Sequence, residues 1–329
     1  MTHDRVSVIV TTYRRDDMLA ECLASLAAQT RPLHEVVVVD DGGSGSAREV
    51  VERFGSQFHY FWQPNAGQQS ARNHGVRESS GEWIAFLDDD DLWLPERHSI
   101  AFELAATGQV TVIAGDFTKF GEGWIAPSGV FDEIAQQQAG FWDDIPREPD
   151  AAYSVVGSFP TTRLFPTSPF WGGTLIMRRD FFEQIGGWNE GLRGIKSEDN
   201  EFTFRAIKNG QLGVIWDSTM RYRTHPGNDS CSSLLNALGR THIWETILLN
   251  HDLTDDERSA LINAINKSQH EIVWSGFSKK EFHTVIKTSK KIGWAGLSIP
   301  EKLKVLISQI AIVTKIANFS RIQAVNKLY

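Results

Sequence analysis

Short apolar runs alternate with helix-spaced segments through the first third of this chain, and each run ends in a polar cluster. Residues 6–11 form a nearly continuous β-branched run, and residues 18–28 then place Leu19, Cys22, Leu23 and Leu26 at helical intervals. The run 35–39 ends at Asp40-Asp41-Gly42-Gly43, after which Ser46-Ala47-Arg48-Glu49 has the spacing of a capping box for a helix carrying Val50, Val51 and Phe54. A strand over 58–62, a helix over 67–79 and a strand over 83–87 follow, and Pro95 suits the first position of a helix reaching residue 106. This order predicts an α/β fold, a mostly parallel sheet covered by helices on both faces. Ligands of such sheets bind beyond the carboxyl ends of the strands, which is where residues 11–15, 40–43 and 88–91 fall.

The last of these clusters is four consecutive aspartates, Asp88 to Asp91. Carboxylates packed together repel one another, and a cluster at the mouth of a buried strand makes physical sense when a divalent cation or a basic neighbour offsets the repulsion. Magnesium and manganese, which both prefer oxygen ligands, suit such a cluster. An acidic surface turn is the alternative. No glycine-rich fingerprint follows the first strand, which argues against a nicotinamide-dependent dehydrogenase.

Residues 118–170 lack clear periodicity and are rich in Gly, Pro and aromatics, including Trp124, Trp142 and Phe170, so they read as a long loop-bearing segment over one edge of a site. A second ordered block spans 171–216, with a strand over 174–177, a turn at Gly186-Gly187, and a helix over 198–209 stopped by Gly210. From residue 234 onward the chain reads helical. Thr254-Asp255-Asp256-Glu257 is a second capping box, and Pro300 opens the last helix.

Charge is unevenly distributed. From Lys279 onward there are ten Lys/Arg against Glu281 and Glu301, a net +8, which with an overall charge of −8 leaves −16 for residues 1–278. Ile299, Leu303, Leu306, Ile307, Ile310, Val313, Ile316 and Ala317 fall largely on one helical face, with Lys302, Lys304, Lys315, Arg321 and Lys327 among the polar positions. Residues 299–329 therefore suit either an anionic membrane surface or packing on the preceding domain or a second subunit. The basic stretch has few interleaved aromatics and the body is acidic, which argues against nucleic-acid binding. No window reaches the roughly 18 apolar residues of a membrane span. The N-terminus lacks the apolar region of a signal peptide, and the two cysteines, Cys22 and Cys231, are too few for a disulfide framework. A reducing, cytoplasmic compartment is the expectation.

Five motifs, in order, carry a resemblance: Val6-Ser7-Val8-Ile9-Val10-Thr11-Thr12-Tyr13, Val38-Val39-Asp40-Asp41-Gly42, Ala71-Arg72-Asn73-His74-Gly75, Phe86-Leu87-Asp88-Asp89-Asp90-Asp91, and Glu198-Asp199. Together they resemble the family 2 glycosyltransferases over about residues 5–230. The resemblance implies a GT-A fold, a nucleoside-diphosphate sugar donor, a divalent metal (Mn2+ or Mg2+) and inversion at the anomeric carbon. It divides the chain into a catalytic domain, 1–232, with a nucleotide-binding half (1–117) and an acceptor-binding half (118–232), and a helical extension, 233–329.

It also implies roles for single residues. Thr11 and Tyr13 match base-contacting positions, where an aromatic face stacks on a uracil or thymine ring. Asp40 matches the acid that accepts the ring N–H, and Arg72 a contact to the base or diphosphate. Asp-x-Asp falls on Asp88 and Asp90: Asp90 as metal ligand, with Asp88 or Asp89 accepting from the ribose hydroxyls. The register is open by one residue, since all four positions are Asp. His225 stands where a loop histidine can ligate metal or touch phosphate. Asp199 matches the general base, with Glu198 beside it on the acceptor side. In Trp171-Gly172-Gly173 and Gly186-Gly187-Trp188, an exposed tryptophan can stack on a sugar ring, although two core tryptophans fit as well.

The expected activity is sugar transfer from a UDP- or dTDP-linked donor to a hydroxyl of a glycan or lipid-linked acceptor. The expected setting is surface polysaccharide or glycoconjugate assembly, on the cytoplasmic side of a membrane. A non-catalytic nucleotide-sugar or glycan-binding protein on the same fold is the main rival. A nucleotidyltransferase is disfavoured, because Thr11-Thr12-Tyr13-Arg14-Arg15 contains no glycine. The sequence leaves the sugar, the linkage and the oligomeric state unspecified.

Overall fold

A computed structural model describes residues 5–148, 150–165, 167–225 and 233–326, with side chains as far as residue 314. The chain divides into two compact units, Met1–Gly194 with Glu198–Asn228, and Ile195–Ser197 with Asp229–Tyr329.

The first unit is built on one sheet. Its leading half consists of β1 (Val6–Thr12), α1 (Asp16–Ala27), β2 (Glu35–Asp41), α2 (Ala47–Glu52), β3 (Phe58–Gln63), α3 (Gln68–Glu78) and β4 (Trp83–Asp88). The four strands pair in parallel in the order β3-β2-β1-β4. Every residue of β1 and β2 is buried, which explains why these strands read as unbroken apolar runs instead of alternating ones. Helix α1 buries Leu19, Cys22, Leu23 and Leu26, the four positions its spacing marks. Helix α3 packs on β1 and β2. A methyl group on its Gly75 would lie 2.4 Å from Ile9 Cγ2, so only glycine permits this approach of helix to strand.

The second half adds β5 (Leu92–Trp93), α4 (Arg97–Ala106), β6 (Val112–Gly121), β7 (Trp124–Ile125), α5 (Val130–Gln137), β8 (Tyr153–Gly157), β9 (Ile176–Arg178), α6 (Arg179–Gln184), α7 (Asp199–Asn209) and β10 (Leu212–Arg223). Strand β9 runs antiparallel between β4 and β6, β10 lies parallel to β6, and β5, β7 and β8 add antiparallel edges. The sheet is therefore mixed, and its parallel character is concentrated in the β3-β2-β1-β4 half.

Three local expectations differ from what is observed. The Ser46 side chain does not cap α2; its hydroxyl pairs with that of Ser44 at 3.0 Å. Pro95 precedes the first residue of α4 by two positions. Residues 118–170 carry strands and a helix, and Phe131, Trp142, Phe159 and Phe170 interlock there with Trp216. These contacts join distant positions, so they leave no local periodicity. Asp116 fixes the start of α5 by accepting from the Phe131 N–H at 3.0 Å.

The second unit contains α8 (Ser233–Asn250), α9 (Asp255–Ser278), α10 (Phe282–Ile292) and α11 (Ile299–Asn326). Its cores are Val273, Val285, Leu297 and Val305, and Leu234, Ala237 and Ile272. The Thr254 capping box forms in both directions: the hydroxyl accepts from Glu257 N, and the Glu257 carboxylate accepts from Thr254 N. Cys22 is a buried free thiol. Cys231 and the side chains of Lys315, Ile316, Ala317, Arg321 and Lys327 lie outside the described residues.

Candidate functional site

The carboxyl ends of β1, β2 and β4 supply one wall of the site. Strand β1 ends at Thr12, and Arg14, in the left-handed region at φ 57°, turns the chain into α1. Tyr13 is left 44% exposed, with the Arg14 guanidinium 5.0 Å from its ring centre. The neighbouring Thr11 hydroxyl is buried without a hydrogen-bond partner. Asp40, at the end of β2, is closed in by local donors: it accepts from Gly43 N at 2.7 Å and from the Tyr60 hydroxyl at 3.0 Å. Burial and that bond to Asp40 push the Tyr60 phenol up to about 12.

Asp41 orients the next element. Its carboxylate accepts from Gln63 Nε2, Ala66 N and Gly67 N, which fixes the approach to α3. Gln68 and Arg72, one helical turn apart, then both donate to Asp88 Oδ1, at 2.8 and 2.7 Å. The Arg72 guanidinium lies 4.2 Å from the Trp188 ring centre, and its Nη1 is buried without a hydrogen-bond partner. Asn73 holds Trp188 by accepting from its N–H and donating to its C=O, both at 2.9 Å.

The four aspartates have different surroundings. Asp88 faces Arg72. Asp89 turns inward, accepting from the Thr12 hydroxyl at 2.7 Å and from Arg15 Nη1 at 3.1 Å. Burial pushes Asp89 up to about 6, against the pull of Thr12 and Arg15. Asp90 Oδ2 accepts from Arg15 Nη1 at 2.9 Å and lies 3.1 Å from His225 Nε2. Asp91 accepts from Arg223 N at 2.9 Å, and burial together with the charges of Asp90 and Asp88 raises its pKa. Asp88, Asp90 and Asp91 each present one carboxylate oxygen within 4.8 Å of the others. Three hard oxygen donors of like charge held this close fit a divalent cation, which offsets their mutual repulsion.

The opposite wall is the start of α7. Asp199 accepts from Gly172 N at 3.4 Å, and a methyl group on Gly172 would lie 2.5 Å from the Trp188 ring and 3.3 Å from Asp199 Cβ. Gly172 thus allows the 3-10 turn Gly172–Thr174 to approach both residues. Burial raises the pKa of both acids: Glu198 reaches about 7 with the Asp199 charge adding to the shift, and Arg72 opposes the rise at both. Asp88 acts on both in the same direction as burial.

Two of the expected positions are deeply enclosed. Trp188 is 2% exposed, with Phe202 stacked at 3.9 Å and Arg72 against it, so it has no free face for a sugar. Asp89 has both oxygens engaged and is 3% exposed, so it is the more enclosed of the two acids expected to meet a ribose. Trp171 remains partly exposed, its ring packed against Phe117 at 4.3 Å and Tyr222 at 4.9 Å. Arg15, Gln68, Tyr60, Asp91 and Arg223 were not singled out individually from sequence. Arg15 and Arg223 reach the aspartates across 75 and 132 positions, a separation that no local spacing signals.

The model of glycosyl transferase family 2 matches residues 7–137, and that of the N-terminal domain of galactosyltransferase matches residues 157–226. An uncharacterised glycosyltransferase of Rickettsia typhi is 33% identical over 84% of this chain and 72% of its own length. The chain belongs to glycosyl transferase family 2. Another uncharacterised glycosyltransferase, of Rickettsia conorii, is 23% identical over 78% of this family 2 chain but only 39% of its own length, so the chain spans about two fifths of that relative. Among solved structures, S. aureus TarS 1-349 in complex with UDP superposes with a TM-score of 0.60 at 20% identity, over 92% of this chain and 88% of that one. A mannosyltransferase from Pyrobaculum calidifontis in complex with GDP-Man and Mn2+ gives 0.57 at 18% identity, over 97% and 84%. The mixed sheet with flanking helices is therefore the GT-A fold of these glycosyltransferases, with a helical C-terminal part.

Proposed function

We propose that this family 2 chain is an inverting, divalent-metal-dependent glycosyltransferase. It takes a sugar from a nucleoside diphosphate, UDP or dTDP, and passes it to a hydroxyl of a glycan or lipid-linked acceptor. The observation that carries this reading is the position of Arg72. It is bonded to Asp88 in the strand-end cluster, and its charge acts on both Glu198 and Asp199. One cation thus links the acids suited to a donor diphosphate with the acids suited to an acceptor hydroxyl.

In this reading Tyr13 stacks on the base, Thr11 meets its edge, Asp40 holds the end of β2 beside it through Gly43 and Tyr60, and Asp88 accepts from the ribose. The partnerless Arg72 Nη1 donates to a diphosphate oxygen. Asp88, Asp90 and Asp91, with His225 beside Asp90, would hold Mn2+ or Mg2+, which when bound supplies charge stabilisation at the departing diphosphate. As the acceptor oxygen bonds to the anomeric carbon from the face opposite the nucleotide, the carbon–oxygen bond to the diphosphate breaks. The acceptor's proton passes to the Asp199 carboxylate. Arg72 favours the ionised form that Asp199 needs for this step, and the Gly172 N–H orients it. Trp171 and Glu198 border the acceptor, while Trp188 supports Arg72 from below. The setting is polysaccharide or glycoconjugate assembly on the cytoplasmic side of a membrane.

The test is the thermal shift of the protein with UDP, dTDP, GDP and CDP, each with and without Mn2+, since a ligand that binds only the folded state raises its apparent stability. A manganese-dependent shift confined to the pyrimidine diphosphates UDP and dTDP is expected. A shift with GDP alone would overturn the pyrimidine assignment, and no shift with any of the four would overturn the donor site.

A further inference from the structure

Within the second unit, helix α11 carries an apolar face that the described residues of that unit leave open. Ile299, Leu303, Leu306, Ile307, Ile310 and Val313 are each between 41 and 82% exposed, while Glu301, Val305 and Ser308 are buried. At 3.6 residues per turn the six open side chains occupy an arc of about 120°. Lys302 lies about 20° and Lys304 about 60° outside that arc, on its two sides, each about 100° from Leu303. Beside them stand two exposed tryptophans: Lys302 Nζ is 5.7 Å from the Trp294 ring centre and Lys304 Nζ is 4.2 Å from that of Trp274. Trp294 is 53% and Trp274 46% exposed.

We propose that this face binds an anionic lipid surface, with α11 lying in the plane of the interface. The apolar arc enters the headgroup boundary. The two tryptophans sit at headgroup depth, where an amphipathic ring is favoured. The lysines lay their methylene stems along the apolar arc and keep their ammonium groups among lipid phosphates. No described helix is long and apolar enough to cross a membrane, so the contact is peripheral.

Charge decides between lipid and a second copy of the chain. Residues 279–329 hold ten Lys/Arg and two acids, and one of the acids, Glu301, is buried against His270 and Ser298. Two such faces pressed together would bring net positive segments into contact with no acid on the face to pair them. An anionic bilayer supplies the missing charge, since basic residues near such a surface are attracted to it. This inference stands apart from the nucleotide reading, because none of its residues belongs to the donor or acceptor site.

The full chain is tested by flotation with phosphatidylcholine vesicles and with vesicles also containing phosphatidylglycerol, without nucleotide or metal. Flotation only with the anionic vesicles, weakened by salt and accompanied by a blue shift of tryptophan emission, is expected. The double substitution Leu303→Gln with Ile310→Gln, on open positions that do not disturb the core, should lower the partition coefficient by about tenfold or more. Lys302→Gln with Lys304→Gln should remove the preference for anionic vesicles. Failure of the parent chain to float, or equal flotation of the Leu303/Ile310 variant, would overturn the proposal. So would a concentration-dependent oligomer that the same variant abolishes, which would assign the face to a second copy. An unchanged melting temperature in each variant keeps loss of fold from being read as loss of binding.

Discussion

Each of the four adjacent aspartates meets a different neighbour at the end of β4: Arg72 for Asp88, Thr12 for Asp89, His225 for Asp90 and the Arg223 N–H for Asp91. Identical residues thereby take different parts, the outcome expected when environment sets ionisation. The same logic governs Glu198 and Asp199. Asp199→Asn should leave the nucleotide-dependent thermal shift intact and abolish transfer, and undiminished turnover would remove Asp199 from the role of base. Glu198 goes from an ordinary 4.5 to about 7 on folding. The folded state therefore holds a proton that the unfolded state releases, and this contribution to stability is full below about pH 4.5 and lost as the pH climbs to about 7. Glu198→Gln cannot ionise, so its melting temperature should vary less across that window. At pH 7 to 8 the variant's unfolding free energy should exceed the parent's by about 1–2 kcal/mol, a figure discounted for the partial exposure of the site.

Elements show which local signals survive folding. Of the two segments read as capping boxes, Ser46–Glu49 and Thr254–Glu257, only the second forms one. Thr254 has an extended backbone and exchanges two hydrogen bonds with Glu257, whereas Ser46 is already helical, at φ −63° and ψ −29°, and bonds to Ser44. A residue in helical conformation cannot turn its side chain onto the first free N–H groups. Thr254→Ala should therefore cost about 1 kcal/mol, and Ser46→Ala close to nothing, as read from chemical denaturation midpoints. Ser298-Ile299-Pro300-Glu301 has the same spacing at the start of α11, where Glu301 accepts from both the N–H and the hydroxyl of Ser298. In α3 the motif Arg72-Asn73-His74-Gly75 serves three surfaces at once: Asp88, the Trp188 backbone and Ile9. Its residues are fixed by distant partners, so they are recognised as a motif but are not explained by any helical rule.

For the molecule as a whole, all the residues assigned to donor, metal and acceptor fall between Thr11 and His225, within the first unit. We propose that residues 1–232 are a catalytic domain and 233–329 an extension. A fragment of 1–232 should keep the nucleotide- and manganese-dependent thermal shift of the full chain and lose flotation on anionic vesicles. Absence of the nucleotide shift in a folded fragment would show that the extension completes the donor site.

Strand-and-helix order, the buried character of the first strands, the core face of α1 and the family were all written in the sequence. They depend on short-range periodicity and on motifs whose order a single chain displays. Tertiary structure alone decided the antiparallel insertion of β9, the aromatic interlock of 118–170, the burial of Trp188 and the inward turn of Asp89. It also decided that Arg15 and Arg223 would reach the acidic run from opposite ends of the first unit. Each of these depends on which distant residue arrives at a given atom, and pattern along a chain specifies which face a residue occupies without specifying who meets it there.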